Sequence, residues 1–164
     1  MDVRIARVIE LLETTSSQDL WFGGATPMGS LRGVTWQTAL WKPAPDRHSI
    51  WELALHMAYW KYAVTRHFTG GPRGSFPREP ANWPAVPDQP DARSWTRDRH
   101  LLRDEHEALC NAAHALGEVG PHDPVPSKPR WSWLQLLEGI HMHDTYHTGQ
   151  IQIMKRLHRS LIAD

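Results

Sequence analysis

The chain has 164 residues and a mass of 18.8 kDa, which suits one domain with a single core, and we expect residues 1–164 to form that domain. Eighteen Lys and Arg balance eighteen Asp and Glu, so no excess of positive charge is available to attract a nucleic-acid backbone. The single cysteine, Cys110, excludes an intrachain disulfide framework and a cysteine-based zinc site, and it favours a reducing cytoplasm.

The first predicted helix covers roughly residues 2–22. Its apolar residues repeat at the spacing of one helix face: Ile5, Val8, Ile9 and Leu12. The opening run, MDVRIARVIELLE, has no apolar stretch of signal-peptide or membrane-spanning length. We therefore expect a cytoplasmic protein that neither enters a membrane nor binds nucleic acid. A connection with several glycines follows, and a short helical turn is predicted over residues 36–41.

The second long helix is predicted over residues 49–68. Ser49 and Glu52 have the spacing of a capping box, which satisfies free backbone N–H groups at a helix start. Residues 69–93 then contain six prolines and three glycines, too many for a helix or a central strand. This segment is predicted to be a long surface crossover.

Two further helices are predicted, over residues 94–116 and 132–161. Gly117 ends the first of them, and Ser132 with Gln135 forms a second capping box at the start of the other. No segment alternates in the way that strands do. The sequence therefore predicts an all-α four-helix bundle with a long crossover between its second and third helices. In such bundles, ligands bind to inward side chains of facing helices.

Eleven histidines in a neutral chain require an explanation, and three of them share an inward position. His143 and His147 are four residues apart on the fourth helix, on its apolar face, within reach of one ion. His56 lies on the apolar face of the second helix and is the natural third ligand. Three neutral imidazoles suit zinc, nickel, copper or ferrous iron, and they leave coordination positions open for water or substrate.

Other interpretations of the histidines remain open at this point. Each could be a solvated or hydrogen-bonded side chain that binds no metal. Glu138 and His141 have the spacing of a di-iron motif, but the chain has no second copy of it. His100, His106 and His114 lie among the charges of the third helix, where a solvated surface is predicted.

Two motifs resemble the DinB/YfiT-like superfamily of metal-binding four-helix bundles. They are the run HSIWELALHMAYW from His48 and the run HDTYHTGQI from His143, in the expected order on the second and fourth helices. The resemblance spans essentially the whole chain. It implies a divalent metal held by His56, His143 and His147, and it implies frequent homodimers. Zinc or nickel is the favoured ion, with iron and manganese as alternatives.

Some members of that superfamily are transferases or isomerases that use a low-molecular-weight thiol such as bacillithiol or mycothiol, and many have no known activity. The stretch WFGG from Trp21 differs from the WHGP stretch of one subgroup, so no subgroup's substrate is carried over. The leading hypothesis is a metal-dependent enzyme of thiol-transferase type, in which the metal activates a thiol cosubstrate. The alternatives are a metal-dependent hydrolase and a noncatalytic, stress-associated metal-binding bundle.

No catalytic residue is assigned from the sequence. Asp144, Tyr146 and Gln150 adjoin the histidines of the fourth helix, and they are candidates for orienting these ligands. Cys110 has no resolving partner nearby, and its predicted role is packing.

Overall fold

The computed structural model describes residues 1–14, 23–71 and 74–162. Along the chain, the elements are α1 (Val3–Glu13), α2 (Pro27–Ser30), α3 (Trp36–Leu40), α4 (Ile50–Thr69), α5 (Ala92–His114), β1 (Pro124–Val125), β2 (Lys128–Ser132) and α6 (Trp133–Leu161).

The four longest helices form a bundle. α1 packs against α5 and α6, and α4 packs against the same two helices, so α1 and α4 lie on opposite corners. The predicted all-α four-helix bundle is confirmed, and the crossover between α4 and α5 lies where it was predicted. The short helices cover the outside, with α2 against α6 and α3 against α4 and α5. None of the helices in the described ranges combines the length and the apolar character that a bilayer span requires.

Side-chain caps explain where the long helices begin. Ser49 caps α4 in a capping box with Glu52, as predicted. Ser132 and Gln135 form the predicted box at the start of α6. The third helix of the bundle, α5, begins at Ala92 rather than at residue 94, because Asp91 is its N-cap and exchanges hydrogen bonds with Ser94.

The first helix is shorter than predicted. α1 ends at Glu13, and the cap residue Thr14 has an extended backbone. The Thr14 hydroxyl donates a hydrogen bond to the carbonyl of Glu10, which satisfies one of the free carbonyl groups of the last turn. The rest of the predicted helix, residues 15–22, lies outside the described residues, and so do the first two residues of the stretch WFGG.

A small hairpin before α6 was not predicted. Pro124 and Val125 of β1 pair antiparallel with β2, in the register Pro124 opposite Ser132 and Val125 opposite Lys128. The prediction of no strand is therefore wrong at this point. The reason is that β1 has only two residues and β2 is exposed along its first four, so neither strand has an alternating pattern to recognise.

The core has two apolar clusters that follow one another along the bundle. One contains the apolar residues between Ile50 and Ala58 of α4 together with Ile151 and Met154 of α6. The other contains Val64 of α4 together with the buried apolar residues between Trp133 and Ile140 of α6. Between these levels, Lys61 of α4 and Asp144 of α6 form an ion pair, and both side chains are almost completely buried. A charged layer thus separates the two clusters.

Candidate metal centre

The structure brings together the three histidines that the sequence predicts as ligands. His56 projects from α4, and His143 and His147 project from α6, with their potential ligand nitrogens within 4.8 Å of one another. The Nε2 atoms of His56 and His143 are 3.0 Å apart. The convergence follows from the helix period, because residues four apart on α6 share the face that packs against α4.

The outer nitrogens of two of these rings are held by oxygen acceptors. His56 Nδ1 is 2.5 Å from the carbonyl oxygen of Asn82. His147 Nδ1 is 2.6 Å from Oε1 of Gln150, whose amide nitrogen donates to the hydroxyl of Tyr146 at 3.2 Å. A carbonyl oxygen only accepts, so both Nδ1 atoms carry the proton and both Nε2 atoms keep a lone pair. Metal-ligating histidines are oriented in this way.

Burial keeps the three imidazoles neutral at pH 7. It lowers the pKa of His56 to about 4 and the pKa of His143 to about 3, and the neighbouring histidines add a smaller effect in the same direction. Burial also lowers the pKa of His147, against the opposing effect of the hydrogen bond that His147 donates to Gln150. Neutral imidazole is the form that binds metal, and three such nitrogens suit a divalent ion of borderline softness. The donor set therefore fits the metal that the sequence predicts.

Aromatic rings enclose the His56 side of the cluster. Trp83 stacks on His56 with ring centroids 3.8 Å apart and planes 10° apart, and its opposite face stacks on His48 at 3.6 Å and 5°. The rings of Trp60 and His56 meet edge to face, with their centroids 6.4 Å apart. Sequence reasoning missed Trp83 because it lies in the crossover, which has no helical period. A large aromatic residue in a segment of prolines and polar residues was the available signal.

A cleft of about 470 Å³ opens beside His147. Its apolar wall contains Leu53, Trp83 and Met154, and its polar edge contains Arg47 and Gln150. The volume is within the range of small-molecule sites, and the combination of apolar walls with few polar groups is typical of them. The predicted ligand cluster thus borders a space that can hold a small substrate.

The remaining candidates have different positions. Gln150 contacts a ligand ring and Tyr146 contacts Gln150, whereas Asp144 turns away from the cluster and pairs with Lys61. Glu138 and His141 are not part of the cluster.

The predicted surface position of His106 is wrong. This side chain is half-buried with its Nδ1 enclosed, and burial lowers its pKa to about 4. The cause is the helix period: His106 is one turn before Cys110, which is buried as predicted, with its Sγ 3.8 Å from His106 Nε2. Burial raises the pKa of Cys110 to about 11, so this thiol stays protonated at neutral pH.

Comparison with known families agrees with this geometry. The family model described as the DinB superfamily matches residues 28–151, a range that runs from α2 into α6 and includes all three histidines of the cluster. No curated protein and no solved structure gives a significant match to the sequence. The family match covers about three quarters of the chain, and the helical bundle and the histidine cluster fit it. The chain therefore belongs to the DinB superfamily.

Proposed function

We propose that this protein is a cytoplasmic, divalent-metal-dependent enzyme of thiol-transferase type, with zinc or nickel held by His56, His143 and His147 and with a small molecule as substrate. One observation carries the proposal: three neutral imidazoles converge at the edge of an apolar cleft, with no carboxylate or cysteine in their cluster among the described residues. Three protein ligands of this kind leave coordination positions for a further group.

A divalent ion held by these nitrogens would lower the pKa of a thiol and favour the nucleophilic thiolate at neutral pH. The transfer forms a bond from sulfur to an electrophilic atom, breaks the bond to the leaving group, which departs with its electron pair, and releases the thiol proton to solvent. In the cleft, Leu53 and Met154 would hold the apolar part of a substrate. Arg47, at the exposed edge, would attract a carboxylate.

Thiol binding is the first test of this proposal. Untagged, nickel-loaded protein is titrated with a panel of low-molecular-weight thiols, and absorption from sulfur-to-nickel charge transfer is recorded. We expect a band that saturates with one of the thiols and that is missing from His147→Ala. The same thiol should then support turnover of an electrophile panel by the wild type, and chelation should stop this turnover.

Other outcomes assign the protein to the alternative functions. Hydrolysis of an ester panel without thiol, stopped by chelation, would replace thiol transfer with metal-dependent hydrolysis. Metal binding with neither activity, and with no thiol band, would indicate a noncatalytic metal-binding bundle.

We also propose that the protein is a homodimer. Several large apolar side chains are exposed along one face of α6: Met142, Tyr146, Ile153, Leu157 and Leu161. Their spacing of four and seven residues is that of a helix face that packs against another helix. A second copy of the chain would cover this face, and it would do so next to the cleft, which Tyr146, Ile153 and Leu157 also line.

Charged replacements on this face test the dimer. We expect sedimentation to show a dimer for the wild type and a monomer for the double variant Ile153→Arg and Leu157→Arg, because two positive charges would have to be buried in the interface. Val3→Arg on α1, also at an exposed apolar residue, is the control and should stay dimeric. A monomeric wild type, or a dimeric double variant, would contradict the proposal.

A further inference from the structure

We propose that Asn82, in the crossover between α4 and α5, is a positioning residue that holds His56 in the tautomer and orientation needed to bind metal. This inference rests on the proposed metal site. It assigns to the crossover a role that neither the histidine motifs nor the family match contains, since Asn82 donates no ligand atom of its own.

The carbonyl of Asn82 fixes which ring nitrogen of His56 carries the proton. Because the Asn82 carbonyl oxygen lies 2.5 Å from His56 Nδ1, the proton is on Nδ1 and the lone pair is on Nε2. Nε2 is the atom that faces His143, at 3.0 Å. A neutral imidazole has a lone pair on one nitrogen only, so loss of this hydrogen bond would allow the tautomer in which Nε2 carries the proton and cannot bind metal.

The backbone conformation of Asn82 determines where its carbonyl points. Asn82 has a φ of 71°, the only positive φ of a residue other than glycine in the described ranges. Asparagine enters this left-handed region more readily than other residues with a side chain, whereas a β-branched residue is strongly disfavoured there. The residue type is therefore suited to the conformation that directs the carbonyl to His56.

The side chain of Asn82 adds a second attachment to α4. Its Oδ1 accepts a hydrogen bond from Trp60 Nε1 at 2.8 Å. Trp60 follows His56 by four residues on α4, so Asn82 contacts the same helix face at two points, one through its carbonyl and one through its amide. Two attachments hold the carbonyl more closely than one, because rotation of the backbone would break the bond to Trp60.

The next residue, Trp83, restricts the orientation of the His56 ring. Its ring lies flat on His56, 3.8 Å away, and prevents the imidazole from rotating out of the cluster. By contrast, Nδ1 of His143 is buried and has no hydrogen-bond partner among the described residues. The protein thus orients His56 through the crossover and orients His147 through Gln150, whereas the outer nitrogen of His143 has no such acceptor among the described residues.

The test separates the carbonyl from the side chain. In Asn82→Val the left-handed conformation is disfavoured, and in Asn82→Gly it is kept but the bond to Trp60 is lost. In Trp60→Phe an aromatic ring remains, but the N–H donor is lost. We expect metal affinity, measured by competition with a chelating dye, to fall about tenfold or more in each variant, as is usual for partners of ligating histidines. Asn82→Asp keeps the acceptor and should bind metal at least as well as the wild type.

A second readout distinguishes failure of this inference from failure of the metal site. NMR of the His56 ring nitrogens in metal-free protein should show the Nδ1–H tautomer in the wild type and in Asn82→Asp, and a mixture in Asn82→Val. The double variant Asn82→Gly and Trp60→Phe should be no weaker in metal binding than the weaker single variant, because both act through one hydrogen bond. An unchanged tautomer in Asn82→Val would overturn the inference. A wild type that has the Nδ1–H tautomer but binds no metal would instead overturn the proposed function.

Discussion

Replacement of His147 with alanine should abolish the stabilisation that divalent metal gives to the wild-type protein. A ligand that binds only the folded state, at about 1,000 times its dissociation constant, adds about 4 kcal/mol to the free energy of unfolding. For a chain of this size, that corresponds to a rise of about 8–16 °C in Tm. His147 lies within the cluster and its Nε2 lone pair is available, so its removal takes away one of three ligands. Thermal unfolding of untagged protein, with zinc or nickel and with a chelator, measures the effect.

His141→Ala is the matched control. His141 lies on the same helix, two residues before His143, but outside the cluster. The metal-dependent rise in Tm should be the same in this variant as in the wild type. A full rise in His147→Ala, or the absence of any rise in the wild type, would show that the three histidines do not form a metal site.

Replacement of Lys61 with methionine should destabilise the fold by about 3–5 kcal/mol. The side chains of Lys61 and Asp144 are 0% and 3% exposed, so the variant leaves a buried carboxylate with no cation beside it. The other oxygen of this carboxylate, Oδ1, already has no hydrogen-bond partner among the described residues. Chemical denaturation monitored by circular dichroism measures the loss of stability.

The double variant Lys61→Met and Asp144→Leu separates the effect of the unpaired charge on stability from the effect of altered packing. Replacing both members of a buried ion pair with apolar residues of similar size is often neutral or stabilising, so most of the lost stability should return. Lys42→Met is the control for removal of a surface cation, because the ion pair of Lys42 with Glu52 is partly exposed. It should change the stability by less than about 1 kcal/mol. If the single variant Lys61→Met is as stable as the wild type, the expectation is wrong, and the buried carboxylate of Asp144 does not need the charge of Lys61.

The sequence predicts most of the fold because the helices are marked locally. Apolar residues at helical spacing identify each long helix, and the capping residues Ser49 and Ser132 mark two of the starts. The histidine cluster was predictable for the same reason, since the helix period alone places His143 and His147 on the face that contains Ile140 and Ile151. Its metal binding stays a prediction.

The features that sequence reasoning missed depend on contacts between distant parts of the chain. Asn82 and Trp83 meet His56 across 26 and 27 residues through a crossover, whose path no local pattern determines. The partner of Asp144 was missed because Lys61 is 83 residues away, and a lysine in an otherwise amphipathic helix is usually at the surface. The hairpin before α6 contacts that helix, and neither of its strands has an alternating pattern.

The buried pair of Lys61 and Asp144 also opposes a shift in the axial register of α4 and α6. A slip of one helical turn, about 5.4 Å, would move Lys61 from Asp144 and leave two opposite charges unpaired in the core, a cost that adds to that of repacking the apolar contacts. Asp144 directly follows His143, and Lys61 is five residues after His56 on the same helix. The same slip would therefore separate His56 from His143, whose Nε2 atoms are 3.0 Å apart in this register. The ion pair therefore helps to align His56 with His143, although neither of its side chains belongs to the histidine cluster.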